Sequence, residues 1–302
     1  MGLGARDSLR LTFYCTTCLP GYHLPYVAAA TNGLFSDLGL DVELLDPAGG
    51  PENVERVGSG GADFCLTSVA HYLAARARFG DIAARFVAVV VQRSPMAALV
   101  AEDSWLASPA DLAGCRLGGP ADGGLVADYQ ASLDRLGIGR SELVPLDYLE
   151  AWRALANGTV DAVADYVDIL PRLRRLAGIS VRAIPFGIEV YSSGLVAADR
   201  LPEEQVAAMG DAIVAALERQ RRHPEEGVEA LQRRYPDIDR AAALEGWSLV
   251  VPNIFTDAPT GSMDADRWAS TIEFVSAAHG LAPVSPESVY RPAFAGVPAN
   301  HR

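Results

Sequence analysis

Two stretches decide the fold: Ser59-Gly-Gly-Ala-Asp-Phe-Cys-Leu-Thr67 and Asn157-Gly-Thr-Val-Asp-Ala-Val-Ala-Asp165. Each contains a glycine, an aspartate preceded by an apolar residue, an apolar run typical of a buried strand, and a polar residue where the strand ends. Open α/β sheets bind ligands outside the carboxyl ends of their strands. Both copies of the motif are therefore predicted to direct a polar side chain toward the same crevice.

Strand-like and helix-like segments alternate around the first copy. Strands are predicted at residues 9–14, 41–45, 62–66 and 86–91, and helices at residues 22–32, 51–57 and 69–79. This alternation favours a mostly parallel sheet with helices on both faces.

The same plan starts again after about residue 98. A short helix at 109–114, a strand at 116–118 and a helix at 122–136 precede the second copy, and the chain is mostly helical from about residue 191. We predict an α/β protein with two lobes, each a mainly parallel sheet flanked by helices, with a ligand cleft between them and hinge strands near residues 95 and 190. The first lobe would comprise residues 9–97 and the return segment 191–302, and the inserted second lobe residues 98–190.

Composition excludes several classes of protein. Half of the 302 residues are hydrophobic, which is enough for a large core, and the net charge of -13 would repel nucleic-acid phosphates and anionic lipid. No apolar run approaches the roughly 18 residues of a membrane span. We therefore expect a small-molecule partner, with no nucleic acid and no membrane insertion.

All 25 basic residues are arginine, since the sequence contains no lysine. A Schiff base with pyridoxal phosphate needs a side-chain amine, so that chemistry is excluded. As written, the chain shows no export signal, so a cytoplasmic location is expected unless a signal segment was removed. The four cysteines are then expected to be thiols.

Several motifs, in order along nearly the whole chain, resemble the NMT1/THI5-like (SsuA/THI5-like) family, which has the type II periplasmic-binding-protein fold. They are Gly21-Tyr-His-Leu-Pro-Tyr-Val-Ala-Ala-Ala, Gly33-Leu-Phe-Ser-Asp-Leu-Gly-Leu-Asp-Val-Glu-Leu, Gly58-Ser-Gly-Gly-Ala-Asp-Phe, Asp111-Leu-Ala-Gly-Cys-Arg-Leu-Gly, Gly158-Thr-Val-Asp-Ala, Met263-Asp-Ala-Asp-Arg-Trp and Pro286-Glu-Ser-Val-Tyr. The resemblance implies this two-lobed fold. It also implies one of two roles: a solute-binding component of an ABC importer for sulfonates, nitrate-like anions or thiamine-pyrimidine precursors, or a yeast-type pyrimidine synthase.

Departures from the pyrimidine synthases restrict that choice. His71 matches the histidine that donates ring atoms in those enzymes, but Thr67 stands where they carry the lysine that holds pyridoxal phosphate. Their cysteine cluster is replaced by Gly187-Ile-Glu-Val-Tyr-Ser-Ser-Gly194. Pyridoxal-dependent pyrimidine synthesis is therefore not expected, and no cofactor is expected.

Cys18 and His71 are the candidate catalytic residues if the protein is an enzyme. A thiol close to a helix N-terminus and a histidine has a lowered pKa, and the resemblance extends to sulfinate desulfinases, which carry a cysteine in the same loop. Cys15, Cys18 and Cys65, with His23 and His71, have zinc-type ligand chemistry. A single Cys-x-x-Cys is weak evidence, however, so no metal site is predicted.

The candidate ligand-binding residues lie at predicted strand ends, helix starts and crossovers. Neutral histidines and helix-capping hydroxyls can hydrogen-bond a ligand, the backbone of the glycine-rich loop 118–124 can hold an anion, and Arg93 can bind an anionic group in bidentate fashion. Helix caps, a tight turn and a surface ion pair are the alternative interpretations of these features. The set is Tyr22, His23, Thr67, Ser68, His71, Arg93, Gly119, Gly123, Gly124, Asp165, Tyr166, Glu189 and Tyr191.

Two functions follow from these residues. The first is binding of a small polar or anionic metabolite in the cleft, such as a pyrimidine or thiamine precursor or a sulfonate, with an ABC permease as partner only if the chain is exported. The second is a cytoplasmic enzyme on the same scaffold that uses Cys18 with His23 or His71, in desulfinase-like or biosynthetic lyase or hydrolase chemistry.

Overall fold

A computed structural model of the chain describes residues 8–13 and 23–292. Its strands are β1 (Leu9–Phe13), β2 (Val42–Leu45), β3 (Phe64–Ser68), β4 (Ala84–Val91), β5 (Met96–Ala101), β6 (Arg116–Gly119), β7 (Glu142–Pro145), β8 (Ala162–Tyr166), β9 (Val181–Pro185) and β10 (Ser193–Ala198).

The helices are α1 (Leu24–Thr31), α2 (Leu34–Asp37), α3 (Gly50–Gly58), α4 (Val69–Phe79), α5 (Gly124–Arg135), α6 (Tyr148–Ala156), α7 (Leu170–Ala177), α8 (Glu203–Arg222), α9 (Pro224–Arg234), α10 (Arg240–Ile254), α11 (Ala265–His279) and α12 (Pro286–Val289). Short 3₁₀ turns occur at Pro109–Leu112 and Val167–Ile169. None of the helices in the described residues is long and apolar enough to cross a membrane.

The strands form two five-stranded sheets with equivalent topology. The first sheet has the order β2-β1-β3-β10-β4 and the second the order β7-β6-β8-β5-β9. The fourth strand of each order, β10 or β5, runs antiparallel to both of its neighbours, whereas the pairs at the other edge are parallel. The predicted fold, two mainly parallel sheets flanked by helices, is confirmed.

Each copy of the repeated motif is held by an arginine at the start of the neighbouring strand. Asp63 accepts hydrogen bonds from the backbone N–H and Nε of Arg10, at 2.8 and 3.2 Å, and Asp161 accepts the same two from Arg116, at 2.8 and 3.0 Å. The guanidinium groups also donate to the carbonyls of Gly60 and Gly158, and both hydrogen bonds are 2.9 Å long. These glycines have φ of 90° and 75°, which side-chain-bearing residues rarely adopt.

The apolar side chains form three clusters around the sheets. One cluster lies between the first sheet and helices α1, α8 and α10, and another lies between the second sheet and helices α6 and α7. The third is continuous between the inner faces of both sheets, with α11 inserted among them. Within this third cluster, Trp268 contacts the rings of Phe86, Tyr191 and Tyr290 at centroid distances of 5.0 to 5.4 Å.

The chain passes between the sheets twice, from β4 to β5 and from β9 to β10. Arg93 of the first crossover pairs with Glu189 of the second at 2.7 Å, and the N–H of Ser94 donates to the carbonyl of Ile188 at 3.3 Å. The predicted lobe boundaries stay a prediction. β5 begins at Met96 and so crosses the first of them.

Candidate functional site

The candidate site is a cavity of about 420 Å³ between the two sheets, hereafter the cleft cavity. Ser68, Ala70, His71 and Ala74 line it from the end of β3 and from α4. Gly124, Leu125, Asp128, Tyr148, Asp165 and Tyr166 line it from the second sheet and its helices, and His279 reaches it from the end of α11. Both polar strand ends predicted from the repeated motif are therefore at or next to one cavity.

The end of β3 prepares the wall on the first-sheet side. Ser68 has extended backbone angles and is the N-cap of α4, where its hydroxyl oxygen accepts a hydrogen bond from the N–H of His71 at 3.1 Å. This cap fixes the first turn of α4 and so places the His71 ring in the cavity wall. Thr67 pairs with Gly194 of β10 and is fully buried.

The end of β8 supplies a carboxylate from the opposite side. Asp165 is 3% exposed and accepts a hydrogen bond from the Tyr148 hydroxyl at 2.5 Å and another from the N–H of Tyr166 at 2.8 Å. Tyr148 begins α6, whose N-cap Asp147 forms a reciprocal capping box with Glu150. Strand end and helix start together fix the orientation of the carboxylate.

Asp128 and His279 form a hydrogen-bonded pair in the same wall, which is an ion pair when His279 is protonated. The Nε2 of His279 lies 2.8 Å from Oδ1 of Asp128, and the hydrogen bond that the imidazole donates to the Asp128 carboxylate raises the pKa of His279. His71 behaves in the opposite way because burial lowers its pKa, only partly opposed by the Asp128 carboxylate. At neutral pH, His279 is therefore the imidazole more readily protonated.

Five of the predicted ligand-binding residues line the cleft cavity, and seven described ones do not. The five are Ser68, His71, Gly124, Asp165 and Tyr166. Thr67 lies one residue before Ser68, Gly119 ends β6, and Gly123 is the N-cap of α5. Arg93 and Glu189 pair with each other in the crossovers, and the Tyr191 hydroxyl accepts a hydrogen bond from the N–H of Asp264 at 2.8 Å.

His23 is fully buried at the start of α1, and burial lowers its pKa to about 3. It is not among the residues that line the cleft cavity. Cys15, Cys18 and Tyr22 lie outside the described residues, so the predictions made for them stay predictions. Cys65 is buried in the core of the first sheet, and burial raises the pKa of its thiol.

Sequence reasoning missed three polar residues of the wall: Asp128, Tyr148 and His279. Asp128 lies one helical turn after Gly124, so the same face of a predicted helix could have indicated it. Nothing local marks Tyr148 or His279. His279 reaches the cavity only because α11, near the other end of the chain, packs against α4 and α5.

A comparison of the sequence with protein-family models identifies the family of this chain. The family model described as NMT1/THI5 like matches residues 21–227. The chain belongs to the NMT1/THI5-like family.

Curated relatives of this family match only part of the chain. The 4-amino-5-hydroxymethyl-2-methylpyrimidine phosphate synthase THI11 of Saccharomyces cerevisiae is 38% identical over 69 residues, which is 23% of this chain and 20% of the relative. The synthase of Candida albicans matches over the same shares at 38% identity. The chain thus spans about a fifth of the length of the curated relatives it matches.

Solved structures match over nearly the whole chain. The periplasmic aliphatic sulphonate binding protein SsuA from Escherichia coli has a TM-score of 0.74 at 17% identity, with 99% of each chain covered. A DSZB mutant in complex with biphenyl-2-sulfinic acid has a TM-score of 0.61 at 17% identity, with 95% of this chain and 97% of the other covered. These similarities establish the periplasmic-binding-protein fold that the sequence predicted.

Proposed function

We propose that this protein binds a small organic molecule in the cleft cavity, in the manner of a solute-binding protein. The observation that carries the proposal is the cavity itself, which lies between two sheets of equivalent topology at the ends of β3 and β8. Its volume of about 420 Å³ is within the usual range for small-molecule sites, and its wall combines apolar side chains with a few fixed polar groups.

The charge of the wall favours one of the two predicted ligand classes. Asp165 presents a carboxylate, the second carboxylate, Asp128, is paired with His279, and none of the described lining residues is an arginine. A sulfonate about 5 Å from a carboxylate would lose about 3 kcal/mol at an effective dielectric constant of about 20. The N-terminus of α5, which begins at Gly124, would return only about 0.3–1 kcal/mol.

We therefore propose a nitrogen-containing ligand over a sulfonate. Amine or ring N–H groups can donate to Asp165 and Asp128, and a ring nitrogen or carbonyl can accept from the first turn of α5. The pyrimidine-like class predicted from the sequence has both kinds of group.

The test is native mass spectrometry of the purified protein, followed by a binding panel of nitrogen-containing and sulfonate compounds of matched size, such as benzamidine and benzenesulfonate. Leu125→Trp should fill the cleft cavity and abolish binding of any retained or added compound. Leu136→Trp is the matched control, because Leu136 is exposed at the end of the same helix.

Loss of binding in Leu125→Trp alone supports the proposed site. If no compound of either class binds, or if Leu125→Trp binds as the wild type does, the proposed function is wrong. Binding of sulfonates alone would retain a binding site in the cleft and overturn the proposed ligand class.

A further inference from the structure

The cleft cavity adjoins a second, larger concave surface. A groove of about 950 Å³, hereafter the outer groove, runs along α5 and α11, and its described wall includes Asp122, Gln130 and Glu273. Of the described residues, only Gly124 and His279 line both the outer groove and the cleft cavity. The two spaces therefore meet where these two residues face each other.

Gly124 and His279 are in close contact at this boundary. A Cβ atom added to Gly124 would lie 3.4 Å from Cε1 of His279, so the imidazole ring already fills the space beside the start of α5. Asp128, one turn further along α5, holds the ring there, with its Oδ1 2.8 Å from Nε2 of His279.

The His279–Asp128 pair also connects the two halves of the fold. His279 ends α11, which packs in the core continuous with the first sheet, whereas Asp128 is on α5, which packs on the second. The two side chains are 21% and 15% exposed, so water screens the pair less than it screens a surface ion pair.

We propose that His279 and Asp128 form a gate between the outer groove and the cleft cavity, and that the ligand enters along the outer groove when this pair separates. This inference rests on the proposed function for its ligand but not for its geometry. In the structure the imidazole ring lies at the boundary between the cavity and the groove. With the pair broken, the ring can turn away from Gly124 and leave a passage along α5.

Protonation of the gate should control its strength. On the cavity side, His71 of α4 faces the His279–Asp128 pair, and Glu52 of α3 lies beyond His71. On the groove side, the charged groups are Asp122, Asp134, Arg135, Arg140 and Glu273. Of these, Arg140 pairs with Asp134, and Arg135 donates to Ser270. Because the pKa of His279 is raised, the charged pair is fully present below about pH 6.5 and is lost as pH rises through the raised value.

The experiment measures access to the cavity without using the ligand. A thiol introduced by Ala74→Cys lies in the cavity wall, and its alkylation by iodoacetamide is followed by peptide mass spectrometry, which separates it from the native cysteines. Asp128→Asn and His279→Gln, each combined with Ala74→Cys, are expected to increase the alkylation rate at least fivefold at pH 6.5.

Two controls make the result specific. Arg85→Gln removes a more exposed ion pair, with Asp199, beside the first sheet and should leave the rate unchanged. Arg174→Gln removes the 2.5 Å pair with Glu245 that joins α7 to α10 elsewhere between the two halves. Equal acceleration by Arg174→Gln would show that general separation of the halves admits the reagent, and would overturn the gate.

The pH arm compares His279→Gln with the parent at each pH, so that ionisation of the thiol cancels. The ratio of the two rates should fall toward one between pH 6.5 and 9, and a constant ratio would overturn control by protonation. Equal rates in the parent, Asp128→Asn and His279→Gln would overturn the gate itself. If the alkylation results support the gate but no compound binds, the proposed function is wrong and the gate stands.

Discussion

Three described histidines show how location, not residue type, sets the chemistry of a side chain. Burial lowers the pKa of His23 to about 3 and also lowers that of His71, whereas a carboxylate raises the pKa of His279. The sequence predicted His71 in the cleft because it lies near the start of a predicted helix, but the same reasoning selected His23, which does not line the cleft cavity. It could not predict His279, because that position depends on the packing of distant helices.

Acid stability should report the state of His23. The pKa of His23 in the folded protein lies below the unfolded value of 6.5. As pH falls from 6.5 toward 3, the unfolded chain therefore binds a proton that the folded protein does not, and the free energy of unfolding decreases. At pH 5 this difference corresponds to about 2 kcal/mol. We expect His23→Gln to remove about that much of the loss in unfolding free energy between pH 7 and pH 5, measured by urea denaturation.

His223→Gln is the matched control, since His223 is exposed. It should retain the acid sensitivity of the wild type. If His23→Gln loses as much unfolding free energy between pH 7 and pH 5 as the wild type does, groups other than His23 are responsible for the acid sensitivity.

At the scale of elements, the repeated motif was visible in the sequence but its arginine partners were not. Residues 59–67 and 157–165 showed a shared pattern, and the structure gives each copy the same strand, the same turn glycine and the same aspartate. Arg10 and Arg116 belong to neighbouring strands, so no local pattern connects them to Asp63 and Asp161. Short alanine-rich strands such as β5 were equally hard to predict, because alanine favours helices and their strand conformation depends on sheet pairing.

The two copies should differ in the stability they contribute. Asp63 is 10% exposed and pairs with both Arg10 and Arg200, whereas Asp161 is 25% exposed and pairs with Arg116. Asp63→Asn is expected to lower the free energy of unfolding by about 2 kcal/mol, because charged hydrogen bonds are lost in a buried setting. Asp161→Asn should lower it by about 1 kcal/mol or less.

Urea denaturation of both variants provides the measurement, and each serves as the control for the other. Equal losses would show that burial does not distinguish the two copies.

At the scale of the whole molecule, the two halves are held together by helices that follow β10. Gly246 of α10 lies against the turn that follows β8, and a Cβ added there would be 2.6 Å from the carbonyl oxygen of Asp168. Ion pairs from Arg174 to Glu245 and from Arg175 to Asp239 join α7 and α10 at the same contact. The order of motifs predicted the two-sheet plan, but only the structure shows how closely the halves approach.

Gly246→Ala should separate the two halves at this contact. The added methyl group cannot fit against a backbone oxygen, so α10 must move away from the second sheet, at an expected cost of about 1–3 kcal/mol. Urea denaturation should show this loss in the free energy of unfolding relative to the wild type.

Ser248→Ala, on the same helix, is the control. Among the described residues, the Ser248 hydroxyl bonds to the carbonyl of Glu245 within α10, so its removal should leave the free energy of unfolding nearly unchanged. An unchanged free energy of unfolding in Gly246→Ala would show that the contact adjusts without cost.

The aromatic contacts of Trp268 have an optical consequence. Its indole touches Tyr191, which belongs to the second crossover, as well as Phe86 and Tyr290 beside the first sheet. Any rotation of one sheet against the other changes the direction of that crossover and with it the surroundings of the indole. Trp268 is thus a native fluorophore beside the second crossover, and in a variant whose other three tryptophans are replaced by phenylalanine its emission is expected to change if the two sheets rotate against each other.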